Sequence, residues 1–497
     1  MLRLVATMMA TVLLLGLTPR GQDSGAAESA TTRALAAIVR NRAALRAFFT
    51  AMPKGADLHN HLDGAVDAER YVDWAARDGL CYDSSFALSP PPCPPGRVVR
   101  PDDAALRKEL IDAFTMRDFV PSSGESGHDH FFATFAKFGP AVSNHSGDVL
   151  IDAARHAGDD RLDYVEFMVS VHEELRNLAP PLASVSNSDD DARILAAVRP
   201  GIPAAVRHAS LRFAAMDADR AKLCAQRRDD LACRPTVRYI IEVVRTLPYK
   251  EVVAQTAVAF ALAQSDPDVV GVNMVAPEDD PVTLATYRRQ MELIAHLRDP
   301  AHPVHVTLHA GELTVGLVPR EDLRDHIRTA VTIAGAERVG HGVDITSEDD
   351  SAELLRRMAR DHVLVEVALS SNDLILGVRG DAHPLPLYLA AHVPVALVTD
   401  DEGVSRIDLT NEFVRAEADY HLNYRAVKTI VRNSLEYSFA QGTSLWRNHD
   451  YAHPIAVCAA LVEPAEPACR KELEASLKMR LQYRLERELN AFESSYV

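Results

Sequence analysis

The sequence predicts an α/β protein, a TIM (β/α)8 barrel with helical and loop insertions, on three observations. Eight apolar, β-rich runs follow one another along 497 residues. Most are nearly continuous in Val, Ile and Leu, as strands buried on both faces of a parallel sheet are. Most intervals hold a helix-like segment, such as TYRRQMELIAHLRD or SAELLRRMARD. Alternating units in that number suit a barrel, although the count alone leaves an open doubly wound sheet as the other solution.

The chain opens on MLRLVATMMATVLLLGLTPRGQDSGAA, with a cation at Arg3, an apolar core from Leu4 to Leu17 and small residues at Gly25 to Ala27. That is the pattern of a secretory signal peptide over residues 1–27. The apolar run falls short of the ~20 residues of a spanning helix. Next comes TTRALAAIVRNRAALRAFFTAM, apolar at helical spacing and stopped by Pro53. The eight runs are GADLHNHL, LDYVEFMVSV, TVRYIIEVV, DVVGVNMV, PVHVTLHAG, RVGHGVDI, HVLVEVALSSN and VPVALVTDD. A barrel needs only ~250 residues, so residues 28–497 form one domain with insertions. One lies near residues 88–129, rich in Pro, Ser and Gly and read as loop; a second lies near 173–233.

Composition narrows the partners. Lys and Arg number 53 against 70 Asp and Glu, a net charge of −17, which argues against a surface built to neutralise nucleic-acid phosphates. A small molecule is the expected partner, with no membrane association once the leader is removed. Six cysteines fall as local pairs, Cys81 with Cys93, Cys224 with Cys233 and Cys458 with Cys469. None makes a Cys-x-x-Cys motif, and each pair can close a short loop in an oxidising space, among 15 formal connectivities. Leader and pairs together predict a secreted or periplasmic protein.

The polar residues gather at the ends of the runs. The first ends in His59-Asn60-His61, the fifth in TLHAGE with His309 and Glu312; the sixth holds His341 between two glycines, and the eighth ends in Asp400-Asp401. Carboxyl ends of barrel strands open on one face, so these four motifs converge. Residues two apart on a strand share a face, which pairs His59 with His61. Three imidazoles and one of the two aspartates make a zinc-type donor set with room for a water. A carboxyl at Glu312, past the strand end, can move a proton without occupying the metal. Most of the chain's 20 histidines are surface or satisfied core residues, and a structural role for His341 in a glycine turn is the plain alternative. The shared address of the four motifs favours a metal hydrolase.

In order, PKGADLHNHLDG, TLHAGE, RVGHG, SSNDLIL, HPLP and VTDDEGV resemble the adenosine deaminase family, metal-dependent purine deaminases on an amidohydrolase-type barrel, from about residue 50 to 440. Leader, disulfides and length are more similar to its secreted, growth-factor-related branch. The resemblance implies one Zn2+ per chain on His59, His61, His309 and Asp400. It implies that Glu312 protonates purine N1, that His341 orients the attacking hydroxide and that Asp401 accepts a hydrogen bond from it. Asp63 matches the position that contacts ribose. Ala276 stands where the family usually has a glycine whose N–H meets the purine. Met168 stands where an Arg commonly follows, and the family's DDP becomes Asp400-Asp401-Glu402.

The function implied is zinc-dependent hydrolytic deamination of adenosine and deoxyadenosine to inosine and ammonia. The alternatives are a deaminase of adenine, AMP or an N6-substituted adenosine, or a secreted binding or growth-factor-like protein with a vestigial site. The Pro-Cys-x-x-Cys signature of cytidine-type deaminases is absent. Phe131, Phe132, Phe135 and Phe138 lie at helical spacing, which serves either a lid over the purine or a face packed on the barrel.

Overall fold

The structure, a computed structural model, describes residues 24–497; residues 1–23, most of the proposed leader, lie outside the described residues. Eight parallel strands form one sheet in sequence order: β1 Gly55–His61, β2 Leu162–Ser170, β3 Thr236–Val244, β4 Val269–Val275, β5 His305–Ala310, β6 Arg338–His341, β7 Leu364–Val367 and β8 Val395–Leu397. A parallel bridge between Asn60 and Asp400 brings the end of β8 back to β1. With helices between the strands, this is a nearly closed (β/α)8 barrel, and the open sheet is excluded.

Each of the eight apolar runs contains its strand. The strands are buried almost throughout, with helices on one face and the barrel interior on the other. A period-two alternation is therefore absent from their sequences. The interior also holds charge. Arg338 reaches Glu166 Oε2 (2.7 Å) and Glu366 Oε1 (2.6 Å), and its guanidinium lies 3.7 Å over the Phe439 ring. A buried cation is tolerable there because two carboxylates and an aromatic face surround it.

Two sequence readings change. HVLVEVALSSN is strand only to Val367; Leu369–Leu376 is helical and ends at Gly377, φ 68°. Ser370 N–H donates to Glu412 Oε2 (3.1 Å) instead of to a neighbouring strand. Residues 88–129, read as loop, contain the helix Ala104–Ala113, because Asp103 caps it by accepting from Leu106 N (3.0 Å) and Leu110 and Ile111 find buried positions. Residues 173–233 carry several helices, the longest Ile202–Gln226.

The helix Gly127–Val142 bears directly on the site. Ser126 and Asp129 close a capping box at its start. A Cβ on Gly127 would meet Leu374 O at 1.9 Å, so the helix can lie tight against Leu369–Leu376 only with glycine there.

All six cysteines are paired as their spacing suggests, Cys81–Cys93, Cys224–Cys233 and Cys458–Cys469. The loops span 12, 9 and 11 residues in separation, for which chain entropy gives roughly 2 to 3 kcal/mol each. Reduction is therefore expected to lower Tm in a thermal melt while leaving metal content unchanged, since no cysteine lies at the carboxyl ends of the strands, where the proposed donors are. Metal released by mild reduction would contradict that separation.

Candidate metal centre and active site

Three imidazoles and one carboxylate converge at the carboxyl ends of the strands. His59 Nε2 and His309 Nε2 are 3.1 Å apart, and His61 Nε2 and His309 Nε2 3.3 Å. Asp400 Oδ1 lies 3.4 Å from His59 Nε2 and 3.2 Å from His61 Nε2. The outer ring nitrogens fix which atoms carry protons. His59 Nδ1 faces Glu366 Oε2 and His61 Nδ1 faces Glu242 Oε2, each at 2.8 Å, while His309 Nδ1 lies 3.2 Å from Asn273 Oδ1. Each outer partner accepts, so each Nδ1 donates and each Nε2 directs a lone pair inward. Three lone pairs and a carboxylate oxygen this close repel unless protons or a metal ion sit among them. The donor set fits a divalent metal ion of the zinc type.

The arrangement also reaches His341. His59, His309, His341 and Asp400 each offer a ligand atom within 4.8 Å of the others, and His61, Asp400 and Asp401 form an overlapping group. His341 is buried, and burial pushes its pKa down to about 4. Burial also drives His309 well below the usual imidazole range, and the crowding of the neighbouring imidazoles adds to it. Against its burial, the neighbouring His59 and His61 imidazoles hold Asp400 well below the carboxylate range.

The strand ends are strained. Ala276, His341 and Asp400 have φ of 80°, 67° and 62°, in the left-handed region that side chains disfavour. Two glycines are required by close approach. A Cβ on Gly340 would lie 2.7 Å from His59 Cε1, and one on Gly64 would lie 1.6 Å from Asp401 Oδ1. The glycines of VGHG and HLDG thus make room for a donor and an acid.

A cavity of about 500 Å³ opens beside the cluster. Its walls bring together Asp63, Ala276, Glu312, His341 and Asp401 with His61, His309 and Asp400; His59 completes the cluster from behind. Phe131, Phe132 and Phe135 line the apolar side. Phe138 instead stacks on Tyr71 at 4.6 Å in the core, so the helix meets the cavity with some of its rings and the core with another. Burial, then the charges of Asp400 and Glu278, raises the pKa of Glu312 well above the carboxylate range. Burial likewise raises Asp401, and burial with the charge of Glu242 takes Asp63 to about 6.

The departures from the family pattern are accommodated. Glu402, in the place of the proline, is buried and accepts from Asn60 Nδ2 (3.2 Å), and Ser405 N–H donates to Asp401 O (2.8 Å), so hydrogen bonds hold the turn. Met168 is buried and its sulfur receives Asn273 Nδ2 at 3.3 Å.

Several residues the sequence reading passed over support the site. Glu366, Glu242 and Asn273 orient the histidines, and Ser371 Oγ donates to Asp400 Oδ2 at 2.6 Å. Glu278 accepts from Gly311 N (3.0 Å), Glu312 N (2.8 Å) and His326 Nδ1 (2.6 Å), pinning the turn that carries Glu312. Glu366 and Asn273 had a signal, each being a lone polar residue inside an apolar strand run, and Glu242 follows the apolar pair Ile240-Ile241. Glu278, in a polar loop, had none.

Comparison with known proteins agrees with this geometry. An adenosine deaminase of Clostridium perfringens is 33% identical over 135 residues, 27% of this chain and 37% of the relative. An aminodeoxyfutalosine deaminase of Streptomyces coelicolor is 34% identical over 137 residues, 27% of this chain and 33% of the relative. The aligned stretch thus spans only about a third of either relative. Among solved structures, a zinc-bound amidohydrolase of Burkhoderia ambifaria is similar with a TM-score of 0.51 at 20% identity, covering 80% of this chain and 88% of that one. Arabidopsis ADAL complexed with IMP gives a TM-score of 0.52 at 14% identity, covering 90% and 99%. These two likenesses concern the fold. The profile of the adenosine deaminase family matches residues 147–445, more than half of the chain, and the chain belongs to that family.

Proposed function

We propose that the protein is a zinc-dependent adenosine deaminase, converting adenosine and deoxyadenosine to inosine and ammonia with one zinc ion on His59, His61, His309 and Asp400. The observation that carries this reading is the convergence of three Nε2 lone pairs and Asp400 Oδ1, 3.1 to 3.4 Å apart, on a cavity that also holds an acid. A tetrahedron of donors about 2.0 to 2.1 Å from zinc has edges of about 3.3 Å. A zinc ion held by these four residues would supply a nucleophile from water near neutral pH.

The chain's own groups supply the rest. Glu312, whose proton is held more tightly because of its burial, gives that proton to purine N1, which draws electrons from C6 and opens that carbon to attack. His341 and Asp401 hold the attacking oxygen from two sides. Asp63 takes a ribose hydroxyl, the Ala276 N–H meets the purine, and Phe131, Phe132 and Phe135 cover the ring and keep out bulk water. The walls near Asp63 and Glu242 are anionic, which favours an uncharged sugar over a 5′-phosphate. A vestigial site in a binding or growth-factor-like protein would have no use for this acid and donor set. The leader pattern and three disulfides support export of residues 28–497 to the periplasm or medium as a single barrel domain.

Purified, zinc-loaded protein should lower the ultraviolet absorbance of adenosine as inosine forms. Adenine, AMP and N6-methyladenosine should be turned over far more slowly. A preference for any of those three would reassign the substrate, and no turnover of the whole panel would sink the enzyme reading.

A further inference from the structure

The SSN of residues 370–372 and the HPLP of residues 383–386 meet behind His341. The Leu385 backbone N–H donates to His383 Nδ1 at 3.1 Å. An amide N–H can only donate, so this Nδ1 accepts. His383 is buried, and burial followed by the charge of Arg415 pushes its pKa down to about 4. The neutral ring therefore carries its proton on Nε2. That atom lies 3.0 Å from Asn372 Oδ1, a donor facing a carbonyl; turning the amide over would oppose two donors. Asn372 Nδ2 is then free to donate to His341 Nδ1, 2.9 Å away. Glu312 Oε1 also approaches that nitrogen but is 3.6 Å off, beyond hydrogen-bond reach.

One backbone amide thus sets the direction of three successive hydrogen bonds. Because His341 Nδ1 accepts, the proton of the neutral imidazole sits on Nε2. That nitrogen is buried with no hydrogen-bond partner among the described residues. Its ring lies 5.2 Å from the ring of His59 and 5.1 Å from that of His309.

We propose that Asn372 and His383 are positioning residues that fix the tautomer of His341, so that His341 presents an N–H, not a lone pair, to the oxygen that attacks the substrate. A ring held this way stabilises and aims that oxygen as a hydrogen-bond donor. Accepting from it falls to Asp401, whose Oδ1 has no partner among the described residues. The identity of the oxygen rests on the deaminase reading; the tautomer does not.

The test is nitrogen-15 NMR of the zinc-loaded, histidine-labelled full chain at neutral pH, with His341 assigned by difference against a His341→Gln sample. A protonated Nε2 and an unprotonated Nδ1 are expected, and a protonated Nδ1 overturns the proposal. Asn372→Asp places an acceptor against both rings and should move the His341 proton to Nδ1. Its kcat should fall by about 10²-fold, the scale for losing one donor to a reacting oxygen, with KM and zinc content little changed. A moved proton with kcat intact would also overturn the proposal. Should Asn372→Asp not fold, His383→Phe removes the donor that orients Asn372. Mixed protonation at His341 is then expected, and an unchanged single tautomer would count against the relay. If wild-type protein deaminated nothing, the functional reading would fail while the NMR still judged the tautomer.

Discussion

Glu312→Gln is expected to leave a folded, metal-loaded protein whose kcat on adenosine falls by about 10²- to 10⁴-fold, the range for a general acid. Gln keeps the size of the side chain but cannot give up a proton. The surroundings that make Glu312 useful also predict a pH signature. Burial, then the charges of Asp400 and Glu278, raises its pKa well above 4.5. The acid form therefore persists to higher pH, and wild-type kcat should decline as pH climbs through the raised value. The small residual rate of Glu312→Gln should lack that decline. Stability carries the matching sign: a carboxyl with a raised folded pKa adds stability that is present below the unfolded pKa and lost as pH rises through the folded one. Gln has no such loss, so its Tm at alkaline pH should equal or exceed that of wild type. An unchanged kcat would remove Glu312 from the chemistry.

His309→Ala is expected to abolish both metal and turnover. His309 Nε2 lies close to both other imidazoles, 3.1 and 3.3 Å away, and deleting it leaves the set with no donor from the β5 side. Elemental analysis should find no zinc at micromolar free metal, and kcat should drop to background. Because a metal that binds only the folded state stabilises it by mass action, Tm should fall toward that of chelator-treated wild type and cease to respond to added zinc. A His309→Ala protein that retained one zinc would show that other donors, His341 among them, hold the ion.

The barrel was legible because its strands are the chain's Val- and Ile-rich runs, and the helices between them fill the gaps. The site was legible because four polar motifs interrupt those runs at their carboxyl ends, where a barrel brings remote residues together. What stayed hidden depends on contacts no local pattern encodes. Asn372 looked like the tail of a strand because LVEVALSSN reads as one apolar run, yet Glu412, 40 residues on, captures Ser370 N and the chain turns helical. Glu278 sits in a loop whose sequence resembles any polar turn, and its role comes from two amides of a different loop. The aromatic helix was divided by depth: Phe131, Phe132 and Phe135 face the cavity, whereas Phe138 meets Tyr71. Helical spacing groups all four on neighbouring faces and cannot separate them.

One zinc ion, held by His59, His61, His309 and Asp400, is expected to serve the deamination of adenosine. Zinc titrated into chelator-stripped protein, with adenosine turnover followed by absorbance, decides this. The stripped protein should show no turnover, and recovery should be linear with a break at one zinc per chain. Full activity in protein shown to be metal-free would contradict it.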